Sequence, residues 1–202
     1  MKSKPGLIIL LAGVLCVTAA AGLFVFNTVR SAQAGNELRH AVEVLTEVIG
    51  KEASKSHNLP TDDPDREMPA IEVEGERYLG ILDIPALGLT LPVGESLDDD
   101  ALQSTPCRYS GSIYSCDLVI GAHNYGAHFG NISTLHIGDE VNFTDAEGHV
   151  YPCEVVDLET LRPEQTEELT TKNPQNDWDM TLFTCTYSGV ERTTVRCKMV
   201  KK

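Results

Sequence analysis

The feature that most constrains this chain is Gly6–Phe26, a run of 21 residues without a charged side chain. At 1.5 Å of rise per residue, a helix of that length spans the roughly 30 Å hydrocarbon layer of a bilayer. Lys2 and Lys4 precede the run, so the positive-inside rule predicts a cytoplasmic N-terminus and an extracellular remainder. The alternative is a signal sequence cut after Ala34, but cleavable apolar cores usually have only about 7 to 15 residues. We therefore expect residues 1–30 to be an uncleaved, single-pass membrane anchor.

The rest of the chain is strongly acidic. Residues 31–202 carry 13 of the 16 Lys and Arg residues and all 30 Asp and Glu residues. Such a surface repels a phosphate backbone, which excludes nucleic acid as a partner. Its simplest role is to keep the domain soluble, although it would also favour a basic substrate or an amine acceptor. With 42% apolar residues, the chain can build the core of one domain.

Two segments connect the apolar run to this domain. Residues 36–50 place apolar side chains at helical spacing, with Asn36 as N-cap and Gly50 as stop, which predicts a short amphipathic helix. This helix could pack on the domain, pair with a second copy or lie on the membrane, and its acidic polar face argues against the last. Residues 51–76 are polar and contain three prolines, which indicates a flexible or extended linker. The predicted divisions are therefore 1–30, 31–76 and 77–202.

From residue 77 onward the pattern indicates a mainly β domain. Short apolar runs over residues 78–84 and 87–93 predict two strands, and residues 139–158 predict a hairpin around Asp145-Ala146-Glu147-Gly148. Residues 159–178 contain two prolines and predict an irregular or partly helical crossover. No repeat and no glycine-rich phosphate loop is present.

A second hairpin, near the C-terminus, carries a candidate nucleophile. Ser188-Gly189 separates two strand-like runs, and a two-residue loop there places Cys185 opposite Arg192 with Cβ atoms about 5 Å apart. A guanidinium at that range favours the thiolate and can hold the oxyanion formed when a thiolate attacks an amide. The same register places Arg196 opposite Thr181, about 13 Å further along the strand. We therefore expect lysine to replace Arg196 with little effect.

A candidate general base lies upstream. A single cysteine in a strand is more often a core residue than a nucleophile, so a base elsewhere would decide between the two readings. Residues 117–122 form a short apolar strand that ends at His123-Asn124, where catalytic residues commonly lie.

These motifs together resemble those of the sortases, the cysteine transpeptidases of bacterial cell surfaces. The residues that carry the resemblance are Thr-Leu-Phe-Thr-Cys at 181–185, Arg192 on the next strand and His123-Asn124, and the similarity extends from about Tyr78 to the C-terminus. The resemblance implies a closed barrel of about eight strands with short helices, on which His123, Cys185 and Arg192 converge in one groove. It leaves the subclass open, and we expect a type without a C-terminal membrane helix.

The resemblance also implies a reaction. Cys185 would attack the carbonyl of a sorting-signal peptide in a secreted surface protein, His123 would protonate the leaving amine and later deprotonate the incoming one, and Arg192 would bind the substrate backbone or the oxyanion. Thr184 and Asn124 are the further candidates for contacting substrate. The product is a thioester, which passes to an amine acceptor on a peptidoglycan precursor or a pilin lysine. No cofactor is expected.

Two rival functions and the remaining cysteines stay open at this stage. A hydrolytic cysteine peptidase would use the same Cys/His pair, and a non-catalytic surface domain stapled by disulfides would need neither residue to react. An extracellular setting permits a disulfide among Cys107, Cys116, Cys153 and Cys197, and the alternating pattern of the last strand predicts that Cys197 is buried. No recognised spacing supports a zinc site, so no metal is expected.

Overall fold

The structure is a computed structural model that describes residues 4–55, 63–97, 102, 104–172 and 177–200. Within these residues a long helix, α1 (Lys4–Lys55), precedes nine strands and three short 3₁₀ segments. The 3₁₀ segments are Pro85–Leu87, Ile132–Thr134 and Pro163–Leu169. The strands are β1 Ile71–Val73, β2 Glu76–Ile84, β3 Leu89–Gly94, β4 Cys107–Ser110, β5 Leu118–Ala122, β6 Glu140–Asp145, β7 Val150–Leu161, β8 Met180–Cys185 and β9 Arg192–Met199.

Eight of the strands form a closed barrel. The order of neighbours is β2–β3–β4–β5–β8–β9–β7–β6, and β6 returns to pair with β2. The β3–β4 and β5–β8 pairs are parallel and the others are antiparallel. Strand β1 adds a short hairpin to the beginning of β2. The prediction of a mainly β, closed barrel of about eight strands with short helices is confirmed.

Alternating side chains fill the barrel and explain its closure. In β8, Met180 and Leu182 point into the core, and in β9 Val195 and Cys197 do the same. The burial predicted for Cys197 is therefore confirmed. Strand β5 is buried on both of its faces, as its continuous apolar sequence requires. Further buried residues of this core include Leu79, Leu82, Ile84, Leu91, Val93, Leu118, Ile120, Phe129, Val141, Phe143 and Val155.

Helix α1 joins two segments that the sequence suggested were separate. Its first part is the apolar run Gly6–Phe26, which is long and apolar enough to cross a membrane. Its last part packs on the barrel, because Leu45 and Ile49 are buried among residues of β1 and β2. The predicted helix start at Asn36 and stop at Gly50 are wrong, since one helix runs through both. A glycine inside a helix costs only about 1 kcal/mol, and the burial of Ile49 next to it offsets that cost.

The folded domain begins before the predicted boundary. Residues 56–62 of the predicted linker lie outside the described residues, and residues 63–70 are irregular as expected. However, Ile71–Val73 pairs with Glu76–Tyr78 as a hairpin, and Met68 is buried in the core. The polar and proline-rich composition of residues 51–76 concealed this short β-branched strand.

Asp145, at the end of β6, is a buried carboxylate beside the closing strand pair. Its Oδ1 accepts the backbone N–H groups of Glu147 and His149 at 2.9 Å each. Its Oδ2 accepts the hydroxyls of Tyr114 and Tyr151 at 3.0 and 3.3 Å. Burial, and the charge of Asp145, raise the pKa values of both tyrosines.

The same region contains a candidate cation cluster. Ligand atoms of Asp145, Glu147 and His149 lie within 4.8 Å of one another. The Asp145 carboxylate makes five hydrogen bonds, one of them to His149 Nδ1 at 3.2 Å, and Arg66 Nη2 lies 2.7 Å from Glu147 Oε1. These contacts account for the cluster without an ion.

Glycine is required where the barrel closes. At Gly80 the pairing of β2 shifts by one residue, and φ is +156°. A Cβ atom at this position would lie 2.0 Å from the carbonyl oxygen of Thr144 on β6. The two strands can pair here because residue 80 has no side chain.

We predict that Gly80→Ala lowers the free energy of unfolding by at least about 2 kcal/mol, because β6 must move away from β2 to admit the methyl group. Urea denaturation of the full chain in detergent measures this change. Gly126→Ala is the matched control, since a Cβ atom there meets nothing within 4 Å, and it should change stability by less than about 0.5 kcal/mol. Equal stability of the two variants would contradict the close approach of β2 and β6.

Candidate active site

Three neighbouring strands bring the predicted catalytic side chains into one row. In the parallel pair β5–β8, Ala122 lies opposite Thr184, so the next residues, His123 and Cys185, come level at the strand ends. In the antiparallel pair β8–β9, Cys185 lies opposite Arg192. Neighbouring strands are about 4.8 Å apart. Cys185 is therefore flanked by His123 on one side and by Arg192 on the other.

The loop that joins β8 to β9 is longer than predicted. Thr186 N–H donates to Glu191 O at 3.0 Å, and Gly189 N–H donates to Thr186 O at 2.8 Å. A β-turn over residues 186–189 thus replaces the two-residue turn, and Tyr187 is 92% exposed at its tip. The predicted pairing of Cys185 with Arg192 nevertheless holds, because the longer loop is centred on the same residues.

The row opens into an apolar groove with a volume of about 290 Å³. Besides His123, Cys185 and Arg192, it is lined by Leu97, Leu102, Tyr109, Gly121, Ala122, Thr166, Leu169 and Phe183. The rings of Tyr109 and Phe183 meet edge to face, with centroids 5.4 Å apart. A Cβ atom at Gly121 would lie 2.6 Å from the Phe183 ring, so glycine lets that ring lie across β5.

The sequence reasoning missed these lining residues. Alternation could have identified two of them, because Phe183 precedes Cys185 by two residues and Gly121 precedes His123 by two. Of the others, Tyr109 lies on β4 and Ala122 on β5, and the rest come from the segment between β3 and β4 and from the crossover after β7.

The Arg192 guanidinium borders the groove and is held by its own loop. Its Nη1 donates to the carbonyl oxygens of Glu191, Gly189 and Val190 at 3.2, 3.4 and 3.5 Å. These contacts are long and solvent-facing, so they hold the side chain weakly.

Thr184 and Asn124 do not line the groove. The Thr184 side chain is buried on the other face of β8, and its hydroxyl donates to Ala122 O at 2.7 Å. Asn124 Nδ2 donates to Thr186 O at 3.4 Å. Both side chains instead join the strand end that carries His123 to the one that carries Cys185.

Comparison with known proteins now identifies the family. A family model described as a sortase domain matches residues 82–200, more than half of the chain. This chain belongs to the sortase family. Among solved structures it resembles a sortase D5 transpeptidase from Clostridium perfringens, with 19% identity and a TM-score of 0.55 over 82% of this chain and 97% of that one.

Other sortase structures match equally well. Sortase A from Corynebacterium diphtheriae is 18% identical, with a TM-score of 0.56 over 91% of this chain and 96% of that one. Streptococcus pneumoniae sortase C is 20% identical, with a TM-score of 0.55 over 80% of this chain and 89% of that one. No curated protein matches the sequence. The likeness to sortases A, C and D establishes the fold and leaves the subclass open.

The cysteines of this sortase differ in their surroundings. All six are described and none of them forms a disulfide, so the disulfide considered from the sequence is not formed. Burial raises the pKa of Cys153 to about 12, and it also raises the pKa values of Cys197 and Cys116. Among the described residues, Cys185 is the cysteine that lines the groove.

Arg196, for which the sequence predicted no role in the site, is buried. Its side chain is fully buried and makes four hydrogen bonds beneath the crossover that follows β7. We therefore no longer expect lysine to replace Arg196 silently, because the outer face of β9 is covered at this position.

His128 is a second histidine close to the site. It is fully buried in the loop that follows His123, and the Tyr125 ring contacts both imidazoles, with centroid distances of 5.1 Å to His123 and 5.5 Å to His128. Neither nitrogen of His128 has a hydrogen-bond partner among the described residues. Burial, with a smaller contribution from His123, lowers the pKa of His128 from 6.5 to about 4.

We predict that His128 makes the protein sensitive to acid. In the unfolded chain this residue takes up a proton near pH 6.5, whereas in the folded chain it stays neutral down to about pH 4. The free energy of unfolding therefore decreases as the pH is lowered from 6.5 to 4, by about 3 kcal/mol in total. His128→Leu should remove this loss, as measured by urea denaturation at pH 7.5, 6, 5 and 4.

The stability difference between wild type and His128→Leu should therefore change with pH in that window. His136→Gln provides the control, because the His136 side chain is 86% exposed and its curve should run parallel to that of the wild type. A His128→Leu curve parallel to the wild type would show that His128 is not held neutral.

Proposed function

We propose that this protein is a membrane-anchored cysteine transpeptidase that cleaves a sorting-signal peptide and transfers the acyl group to an amine. The single observation that carries the proposal is the row of His123, Cys185 and Arg192 at the edge of an apolar groove, on a barrel of the sortase family. A nucleophile, a proton carrier and a cation on adjacent strands are the groups that acyl transfer requires.

Each residue has one role in the scheme. The Cys185 thiolate adds to the scissile carbonyl, and Arg192 stabilises the oxyanion of the tetrahedral intermediate. His123, as the protonated acid, gives its proton to the leaving amine as the C–N bond breaks, which yields a thioester. The incoming amine then attacks the thioester and gives a proton to His123, and the Cys185 thiolate leaves. The scheme uses only side chains of this chain and needs no cofactor.

The proposed substrates follow from the groove and the anchor. The apolar floor formed by Tyr109 and Phe183 suits the nonpolar residues of a short peptide in extended form. The proposed acyl acceptor is an amine of a peptidoglycan precursor or a pilin lysine, and the structure of the similar Streptococcus pneumoniae sortase C was described in connection with pilin substrate specificity. With Lys2 and Lys4 on the cytoplasmic side, the apolar part of α1 would hold the barrel at the extracellular surface of the cell membrane.

The test is incubation of the full chain in detergent with a peptide library and an added amine such as triglycine. We predict that mass spectrometry finds one class of cleaved bond, a thioester on Cys185 and a product that carries the amine. Cys185→Ala should abolish both thioester and product, whereas Cys116→Ala should retain them. Turnover by Cys185→Ala would refute the assignment, and release of free acid that added amine never captures would indicate a hydrolytic peptidase instead.

We also predict that Arg192→Lys slows thioester formation by about 10²-fold or more, because lysine retains the charge and loses the planar pair of donors aimed at the oxyanion. Single-turnover acylation, followed by intact-protein mass spectrometry, measures the rate. The paired variant Arg162→Lys alters an exposed arginine and should acylate at the wild-type rate. An acylation rate for Arg192→Lys within a few-fold of wild type would remove Arg192 from the mechanism.

A further inference from the structure

One side of the groove is a short helical turn with little support of its own. This wall segment, Pro163–Leu169, contributes Thr166 and Leu169 to the groove lining. It is a 3₁₀ segment of seven residues, and its backbone departs from helical geometry at Gln165. Of its side chains, only that of Leu169 is buried. Because 3₁₀ hydrogen bonds are poorly aligned and the segment buries little apolar surface, its position must depend on contacts with the barrel.

Those contacts converge on Arg196 of β9. Its Nη1 donates to Leu169 O and its Nη2 to Glu168 O, at 2.9 and 2.6 Å, so the last two carbonyls of the wall segment are both bound. The same guanidinium donates from Nη1 to Thr181 Oγ1 on β8 and from Nε to Glu159 Oε1 on β7, both at 2.9 Å. One side chain thus joins the wall segment to three strands of the barrel.

The surroundings of Arg196 explain why this position requires arginine. The side chain is 0% exposed, and its guanidinium lies over the ring of Trp178 with 5.0 Å from Cζ to the ring centroid. A buried charge is tolerated only when it is paired and hydrogen-bonded, which Glu159 and the three neutral acceptors achieve here. A lysine ammonium has three donors on one atom and cannot reach four acceptors spread around a planar fork.

We propose that Arg196 is a positioning residue that sets the substrate groove by fixing its wall segment. It acts through Leu169 and Thr166, and it lies opposite Thr181, four residues before Cys185 on β8. Loss of the fork releases the wall, so bound peptide loses contacts along the groove while the row of His123, Cys185 and Arg192 stays in place. This inference rests on the proposed transpeptidase function for its kinetic consequence.

The experiment compares wild type with Arg196→Lys in full-length protein, using the peptide that the library selects. The expected result is a KM raised by about tenfold or more with kcat unchanged within about twofold, the pattern of lost uniform binding. The rate at which iodoacetamide alkylates Cys185 should also stay within about twofold, since that reagent does not need the groove wall. A uniformly destabilised protein would instead show a lower kcat and a changed alkylation rate together with the raised KM. That outcome would overturn the proposal.

A milder variant and a control keep the test decisive if Arg196→Lys does not fold. Glu159→Gln keeps a hydrogen-bond acceptor for Arg196 but removes the negative charge that pairs with it. Because the Glu159 side chain is 26% exposed, the barrel should tolerate this substitution. It should raise KM by about threefold. Lys198→Gln, two residues along the same strand, touches Asp177 and Asp179 and not the wall segment, so its KM should equal that of wild type.

Hydrogen exchange separates failure of this inference from failure of the proposed function. In Arg196→Lys or Glu159→Gln, amides of residues 163–172 should exchange faster than in wild type while those of β8 and β9 remain protected. A wall segment that exchanges at the wild-type rate in both variants would overturn the positioning role, whatever the enzyme activity. A wild type that forms no thioester would contradict only the transpeptidase proposal.

Discussion

The site depends on the pairing of three strands, β5, β8 and β9. The parallel pair sets His123 level with Cys185, and the antiparallel pair sets Arg192 on the opposite side. Because side chains alternate between faces, a slip of one residue in either pair would turn a member of the row into the barrel core. The apolar residues that fill the core therefore also fix the alignment of the row, since Ile120, Leu182 and Val195 can be buried only in this register.

Strand β8 shows how one short sequence serves two purposes. Its inward side chains, Met180, Leu182 and Thr184, pack in the core or bond the neighbouring strand. Its outward side chains have three different roles. Thr181 accepts a hydrogen bond from Arg196, Phe183 forms part of the groove floor, and Cys185 is the candidate nucleophile. A rigid strand supported by the core is a better platform for reactive groups than a loop, because packing on one face fixes the side chains of the other.

Three buried polar side chains surround this framework, and they differ in how their polarity is satisfied. Arg196 makes four hydrogen bonds and the Asp145 carboxylate makes five, so each serves as a fixed connection, the first for the groove wall and the second for barrel closure. His128 has no hydrogen-bond partner among the described residues and is retained in its neutral form. A buried group of this kind destabilises the folded state when it takes up a proton, so we expect the loop after His123 to be sensitive to acid.

The sequence by itself determined the elements whose signal is local. Twenty-one uncharged residues predict a membrane-spanning helix, alternation predicts the strands, and Cys185 was paired correctly with Arg192 because hairpin register depends on residues close together in the chain. Only the tertiary structure decided which segment covers a strand face that the sequence pattern predicts to be exposed. It placed Thr184 away from the groove and buried Arg196 beneath residues 163–169. Those outcomes depend on contacts between segments distant in sequence, and neither alternation nor propensity carries information about which distant segment will pack against a given face.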